Sequence, residues 1–225
     1  MDNGIQIAID GPAAAGKSTI AKITASKLGY TYIDTGAMYR ALTYKALEEH
    51  IDVYNDDALV SLLEGIVIDL LPSEEGQIVR VNGEDITEAI RSQEVTSNVS
   101  ATAAQPRVRK MMVEKQRLLA TTKGVVMDGR DIGTAVLPDA ELKIFMTASV
   151  EERAARRFAE NNTRGIHRSM EELCQDIATR DKADTERKAS PLKQASDAVF
   201  IDTTSMTIEE VADTIIQHAE KRKQR

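Results

Sequence analysis

Residues Gly11-Pro12-Ala13-Ala14-Ala15-Gly16-Lys17-Ser18 match the pattern G-x-x-x-x-G-K-[ST] at every fixed position. A chance match in a chain of 225 residues has a probability of about one in a hundred on ordinary amino-acid usage. The flanks strengthen the match. Ile5-Gln6-Ile7-Ala8-Ile9 reads as a buried strand, and a helix carrying Ile20, Ile23 and Leu28 follows and ends near Gly29. Strand, glycine-rich turn and helix in that order make a phosphate-binding loop. Gly11 and Gly16 let backbone amides turn inward, and Pro12, Ala13, Ala14, Ala15 and Thr19 complete the cradle. The helix start adds its positive dipole end. Lys17 is placed to reach the β- and γ-phosphates of a nucleotide, and the Ser18 hydroxyl to bind Mg²⁺.

A loop of this kind demands a parallel sheet to carry it, and the rest of the chain supplies the pieces. Thr31-Tyr32-Ile33, Val125-Val126-Met127, Leu142 to Met146 and Ala198 to Ile201 read as further strands. Ser149…Glu152, Ser169…Glu172 and Thr207…Glu210 have capping-box spacing and mark helix starts. The last helix is expected to bury Ile208, Val211, Ile215 and Ala219 on one face. This alternation implies an α/β fold with a mostly parallel sheet. One region departs from it. Ile66–Leu71 and Gln77–Val81 read as paired strands, with a turn at Asn82-Gly83, then a polar helical stretch and a new helix at Pro106. Residues 62–105 are therefore expected to be an insertion with its own small sheet.

Composition limits the partners. The formal net charge is −7, which disfavours non-specific binding to nucleic acid or membranes, so an anionic ligand must be held by local cations. No stretch reaches the ~18 apolar residues of a membrane span, and Met1-Asp2-Asn3-Gly4 does not open a signal peptide. Cys174 is alone. A cytoplasmic protein is the expectation.

The cations occur in motifs. Asp34-Thr35-Gly36-Ala37-Met38-Tyr39-Arg40, Pro106-Arg107-Val108-Arg109, Asp128-Gly129-Arg130-Asp131 and Arg180-Asp181…Asp184…Arg187 all carry arginine, and in all but the second it stands near a carboxylate or glycine. One such arginine reads as a surface ion pair; four motifs together read as a site for a second anionic substrate, since arginine binds phosphate oxygens in a bidentate way. On a helix, Arg180, Asp184 and Arg187 share one face. Asp128, at a strand end, fits the metal-organising carboxylate, directly or through water, with Asp10 as a weaker rival. No N-K-x-D guanine-reading pair is present. Arg153, Arg156, Arg157, Arg164 and Arg168, around the polar loop Asn161–Gly165, form a lid candidate over residues 151–168. Its closure would bring cations to the transferring phosphate and exclude water. His50, His167 and His218 fall in none of these motifs.

Together with Gly11–Thr19 and Asp34–Arg40, the stretches Asp128-Gly129-Arg130-Asp131-Ile132-Gly133-Thr134 and Arg180-Asp181-Lys182-Ala183-Asp184-Thr185-Glu186-Arg187 resemble the motifs of bacterial cytidylate kinases, over nearly the whole chain and including the longer insertion. The resemblance implies a P-loop NTPase-type five-stranded parallel sheet flanked by helices. One kinase domain would span residues 1–225, with a core at about 1–61, 106–150 and 169–225. ATP is the implied donor, CMP or dCMP the implied acceptor, Mg²⁺ the implied cofactor, and a monomer the implied state. It implies that Arg40, Arg130 and Arg180 hold the acceptor phosphate and that Ser100, Arg109 and Asp131 read the cytosine edge. Asp184, with Arg187 nearby, would take the ribose, with Thr35 and Tyr39 also on the acceptor side. Lys17, Arg130, Arg180 and Arg157 are the expected catalytic cations. Two other readings stay open: a kinase for a small alcohol, with Asp34 or Asp131 as base, and a nucleotide-dependent switch.

Overall fold

The computed structural model describes residues 4–73, 76–163 and 165–224. In chain order the elements are β1 (Gln6–Asp10), α1 (Lys17–Leu28), β2 (Thr31–Asp34), α2 (Thr35–Glu48), α3 (Asp56–Gly65), β3 (Ile68–Ser73), β4 (Gly76–Val81) and β5 (Glu84–Asp85). Then come α4 (Gln93–Ala104), α5 (Pro106–Leu119), β6 (Val125–Gly129), β7 (Leu142–Thr147), α6 (Val150–Thr163), α7 (Met170–Glu186), β8 (Val199–Asp202) and α8 (Ile208–Lys223). A π-type turn at Ile132–Val136 follows β6.

Five strands form one parallel sheet in the order β2-β6-β1-β7-β8. Its apolar runs are continuous because both faces are covered. Ile7, Ile9, Val126 and Ile144 pack against Ile20 and Ala21 of α1 and Val211 and Ile215 of α8. Ala8, Met127 and Val125 face Ile132, Val136 and Leu137 on the other side. Parallel strands bring their carboxyl ends to one edge, where ligands bind in open α/β sheets. Asp10, Asp34 and Asp128 stand at that edge.

β3, β4 and β5 form a separate antiparallel sheet. Asn82 and Gly83 join β4 to β5 with φ of 51° and 85°, the left-handed pair that a two-residue hairpin needs. A large apolar cluster joins this sheet to α2, α3, α4 and α5 through residues such as Leu42, Leu63, Val79, Val99 and Met112. α6 and α7 pair separately through Ala154, Phe158, Leu173, Cys174 and Ile177.

Three local expectations are corrected. The capping boxes at Ser169–Glu172 and Thr207–Glu210 are complete. At Ser149 only half forms: its hydroxyl accepts from the Glu152 amide, while its own amide donates to Thr204 Oγ1 and Glu152 pairs with Arg156. Val211, Ile215 and Ala219 are buried but Ile208 is 49% exposed, because as the first residue of α8 it stands at the cavity mouth rather than over the sheet. α7 ends at Glu186, so Arg187 is its C-cap residue and not part of the helical face.

Candidate active site

One cavity of about 750 Å³ opens at the carboxyl edge of the sheet. Ala13–Thr19 form its floor, with Gly11 and Pro12 behind. A Cβ on Gly11 would lie 2.0 Å from the Met146 carbonyl oxygen, so no other residue fits there. Gly16 takes φ 84° as N-cap of α1, and no side chain caps that helix. Its first amides are left for an anion. The Lys17 ammonium donates to the Pro12 carbonyl at 2.7 Å. Burial and the nearby Arg130 lower its pKa, against the pull of Asp128 and Asp10.

Asp128 is 4% exposed and fastened at both oxygens. Oδ2 accepts from the Ser18 hydroxyl at 2.9 Å and Oδ1 from the Tyr32 hydroxyl at 2.9 Å. Burial and Asp34 raise its pKa, while Lys17 and the two hydroxyls oppose that. Burial, with Asp128 close by, raises the Tyr32 phenol far above its ordinary range, so it stays a donor. Asp10 has a different task. Both its oxygens accept backbone amides, of Ile132 and Gly133, each at 2.7 Å. It thereby fixes the turn after β6, and burial pushes it up to about 6.

The arginines converge on the same cavity. Arg40 donates to the Ile90 carbonyl and to Thr96 Oγ1. Arg130 pairs with Asp184 at 2.8 Å. Arg180 Nε is buried without a hydrogen-bond partner. Burial, then the charge of Arg130, pushes Arg180 down to about 9; burial, then Arg157, pushes Arg40 down to about 10. Both remain cationic at neutral pH, and a bound anion would relieve the repulsion among these guanidinium groups.

Beyond them Arg109 and Asp131 form an ion pair of 2.6 Å with side chains 3% and 5% exposed. The Arg109 guanidinium lies 5.3 Å from the Tyr39 ring centroid and donates to the Ala103 carbonyl. Arg187 contacts Asp184 at 3.4 Å and Asp131 at 3.9 Å. Burial works to raise the pKa of Asp184, but Arg130, Arg180 and Arg187 hold it below the usual carboxylate value.

A sequence model described as cytidylate kinase matches residues 7–221. A cytidylate kinase of Geobacillus sp. (strain WCH70) is 60% identical over 99% of both chains. One from Bacillus velezensis is 57% identical over 99% of both. The chain belongs to the cytidylate kinase family. By that membership it is a nucleoside-monophosphate kinase. The crystal structure of an uncharacterized protein from Eubacterium ventriosum aligns with a TM-score of 0.53 at 12% identity, covering 96% of this chain and 98% of that one, a likeness of fold.

In this cytidylate kinase family member, Thr35, Tyr39, Arg40, Ser100, Arg109, Arg130, Asp131, Arg157, Arg180, Asp184 and Arg187 all line the one cavity. The Thr35 hydroxyl is spent on the Asp128 carbonyl at 2.7 Å. The lid arginines divide. Arg153 donates to the carbonyls of Ala148 and Ala13 and pairs with Asp181 at 2.6 Å. Arg156 donates to the Ala15 and Thr203 carbonyls. Both therefore brace the phosphate loop; Arg153 stays behind the cavity, while Arg156 lines it together with Arg157, which also pairs with Glu160. Arg168 pairs with Glu172 and Asp176 on α7; Arg164 lies outside the described residues. No helix is long and apolar enough to cross a membrane among the described residues.

Sequence reading missed Thr203, Met206 and Ile208, which line the cavity, and Tyr32. Tyr32 reads in sequence only as part of the strand Thr31-Tyr32-Ile33, and the loop after β8 carries no motif. The oxygen donors fit Mg²⁺: one hydroxyl and one carboxylate in mutual contact leave most of the ion's octahedral shell for phosphate oxygens and water. Asp10 serves the turn after β6 through the Ile132 and Gly133 amides, and the Ser18 hydroxyl meets Asp128 instead.

Proposed function

We propose that the cavity transfers the γ-phosphate of ATP in line to the phosphate of CMP or dCMP, giving ADP and CDP or dCDP. The observation that carries this is the adjacency, in one cavity, of an uncapped helix start with Lys17, the arginines Arg40, Arg130, Arg157 and Arg180, and the buried Arg109–Asp131 pair. The loop Ala13–Thr19 holds the donor triphosphate. Ser18 and Asp128 would hold Mg²⁺, Asp128 directly or through water, and the ion would supply charge neutralisation at the donor phosphates. Arg40, Arg130 and Arg180 hold the acceptor phosphate, and Arg157 adds charge at the transferring group. Cytosine presents an amino donor beside acceptors, which Asp131, Arg109 and Ser100 complement. Uracil would set a carbonyl against the Asp131 carboxylate, an unpaired contact costing ~1–3 kcal/mol. Asp184 and Arg187 take the sugar.

No base is required. The acceptor phosphate oxygen is anionic at neutral pH, so catalysis reduces to alignment and charge neutralisation. The unit that acts is a single domain and a monomer, without nucleic acid or membrane. Residues 62–105 close on the acceptor and 151–168 act as the lid. The test is product identity. With ATP labelled at the γ-phosphate and CMP, label should appear in CDP and not in inorganic phosphate; label in inorganic phosphate alone would refute the proposal.

A further inference from the structure

Tyr32 lies outside the cavity wall, yet it touches the carboxylate most deeply involved in the donor end. β2 is the outer strand of the parallel sheet, paired to β6 in a register that sets Asp34 opposite Asp128 and Tyr32 opposite Val126. From there the Tyr32 hydroxyl reaches Asp128 Oδ1 while Ser18 holds Oδ2. The terminal torsion of an aspartate is broad and roughly two-fold. One donor leaves the carboxylate plane free to rotate; two donors, one on each oxygen and from different elements, fix it.

Tyr32 is itself held from outside. As an edge strand β2 turns unpaired backbone groups away from the sheet. The side-chain amide of Gln77, on β4 of the small sheet, meets two of them: Nε2 donates to the Tyr32 carbonyl at 2.9 Å and Oε1 accepts the Asp34 amide at 3.1 Å. Gln77 thus stands in for one residue of a neighbouring strand and ties the small sheet to the strand that carries the phenol.

We infer that Tyr32, braced by Gln77, is a positioning residue that fixes the plane of the Asp128 carboxylate for the metal–nucleotide complex. This rests on the assignment of Asp128 and Ser18 to Mg²⁺ in the proposed reaction. Partners of this kind behind a metal-binding group change metal affinity by about 10- to 100-fold when removed.

The experiment measures Mn²⁺ affinity by electron paramagnetic resonance, in the presence of a non-hydrolysable ATP analogue, for the full chain and for Tyr32→Phe, Gln77→Ala and Asp128→Asn, with thermal melts confirming folding. Tyr32→Phe is expected to weaken Mn²⁺ binding by about 10-fold, with Gln77→Ala weakening it less and in the same direction. In parallel kinetics, kcat should fall while the KM for CMP moves by less than about twofold, since Tyr32 does not line the acceptor site. A folded Tyr32→Phe with unchanged Mn²⁺ affinity, beside an Asp128→Asn that has lost it, overturns this inference alone. If Asp128→Asn also binds Mn²⁺ as the parent does, the metal assignment falls and this inference with it. Should Tyr32→Phe fail to fold, an unchanged affinity in Gln77→Ala overturns the inference.

Discussion

Replacing Asp131 with asparagine separates two effects that the structure sets at different sizes. The Asp131 carboxylate neutralises Arg109, whose side chain is 3% exposed, and lies 3.9 Å from Arg187. Removing one partner of such a buried pair costs about 3–5 kcal/mol, because the remaining charge is left in a poorly solvated site. For a chain of this length the melting temperature should then fall by roughly 6–20 °C, at about 2–4 °C per kcal/mol. The second effect is on base choice. Asp131 offers only acceptors to the cytosine amine, whereas an asparagine amide offers a donor to either base. The ~1–3 kcal/mol of discrimination against uracil should largely vanish, shrinking the CMP-to-UMP ratio of kcat/KM by about 5- to 150-fold. The assay is initial-rate kinetics with both acceptors on one preparation. The ratio does not depend on the active fraction, so partial unfolding cannot imitate the result. A large loss of stability with an unchanged ratio would show that Asp131 supports the fold and does not read the base.

Lys17→Met should lower kcat by orders of magnitude in a protein that still melts cooperatively, and near-normal turnover would remove the phosphate-loop assignment. Asp184→Ala should raise the KM for both CMP and dCMP, because it removes a sugar contact and also releases Arg130 and Arg187; unchanged kcat/KM for both acceptors would detach Asp184 from the site. Asp10 gives a pH signature. Its folded pKa of about 6 lies above the ordinary 3.8, so between those values the folded chain holds a proton that the unfolded chain has lost. Stability from this group is present below about 4 and is lost as the pH rises through about 6. Urea unfolding should therefore show the parent losing stability relative to Asp10→Asn across that window; a constant difference would contradict the shift.

Contiguous chemistry was legible, and chemistry assembled across elements was legible only where each piece carried a local motif. The phosphate loop could be read because backbone geometry, helix start and lysine must be adjacent in sequence. The parallel strands were readable because a sheet covered on both faces needs unbroken apolar runs. Arg40, Arg109, Arg130 and Arg180 sit on separate elements, yet each carried a local motif, and the cavity joins them. Tyr32 and Gln77 carried none: their roles arise only from register across the sheet edge and a contact between elements 45 residues apart. Arg153 and Arg156 were grouped with the lid because charge spacing along a helix does not tell which carbonyls the guanidinium will meet. Here those carbonyls belong to the phosphate loop.

The most direct test of cytidylate specificity is ADP release from Mg-ATP across a panel of acceptors: CMP, dCMP, UMP, AMP, GMP, shikimate and water alone. Fast turnover with CMP and dCMP, slow turnover with UMP and almost none with purines or water is the expected result. Stimulation by shikimate alone, or by no acceptor, would keep the phosphate loop and contradict the acceptor site.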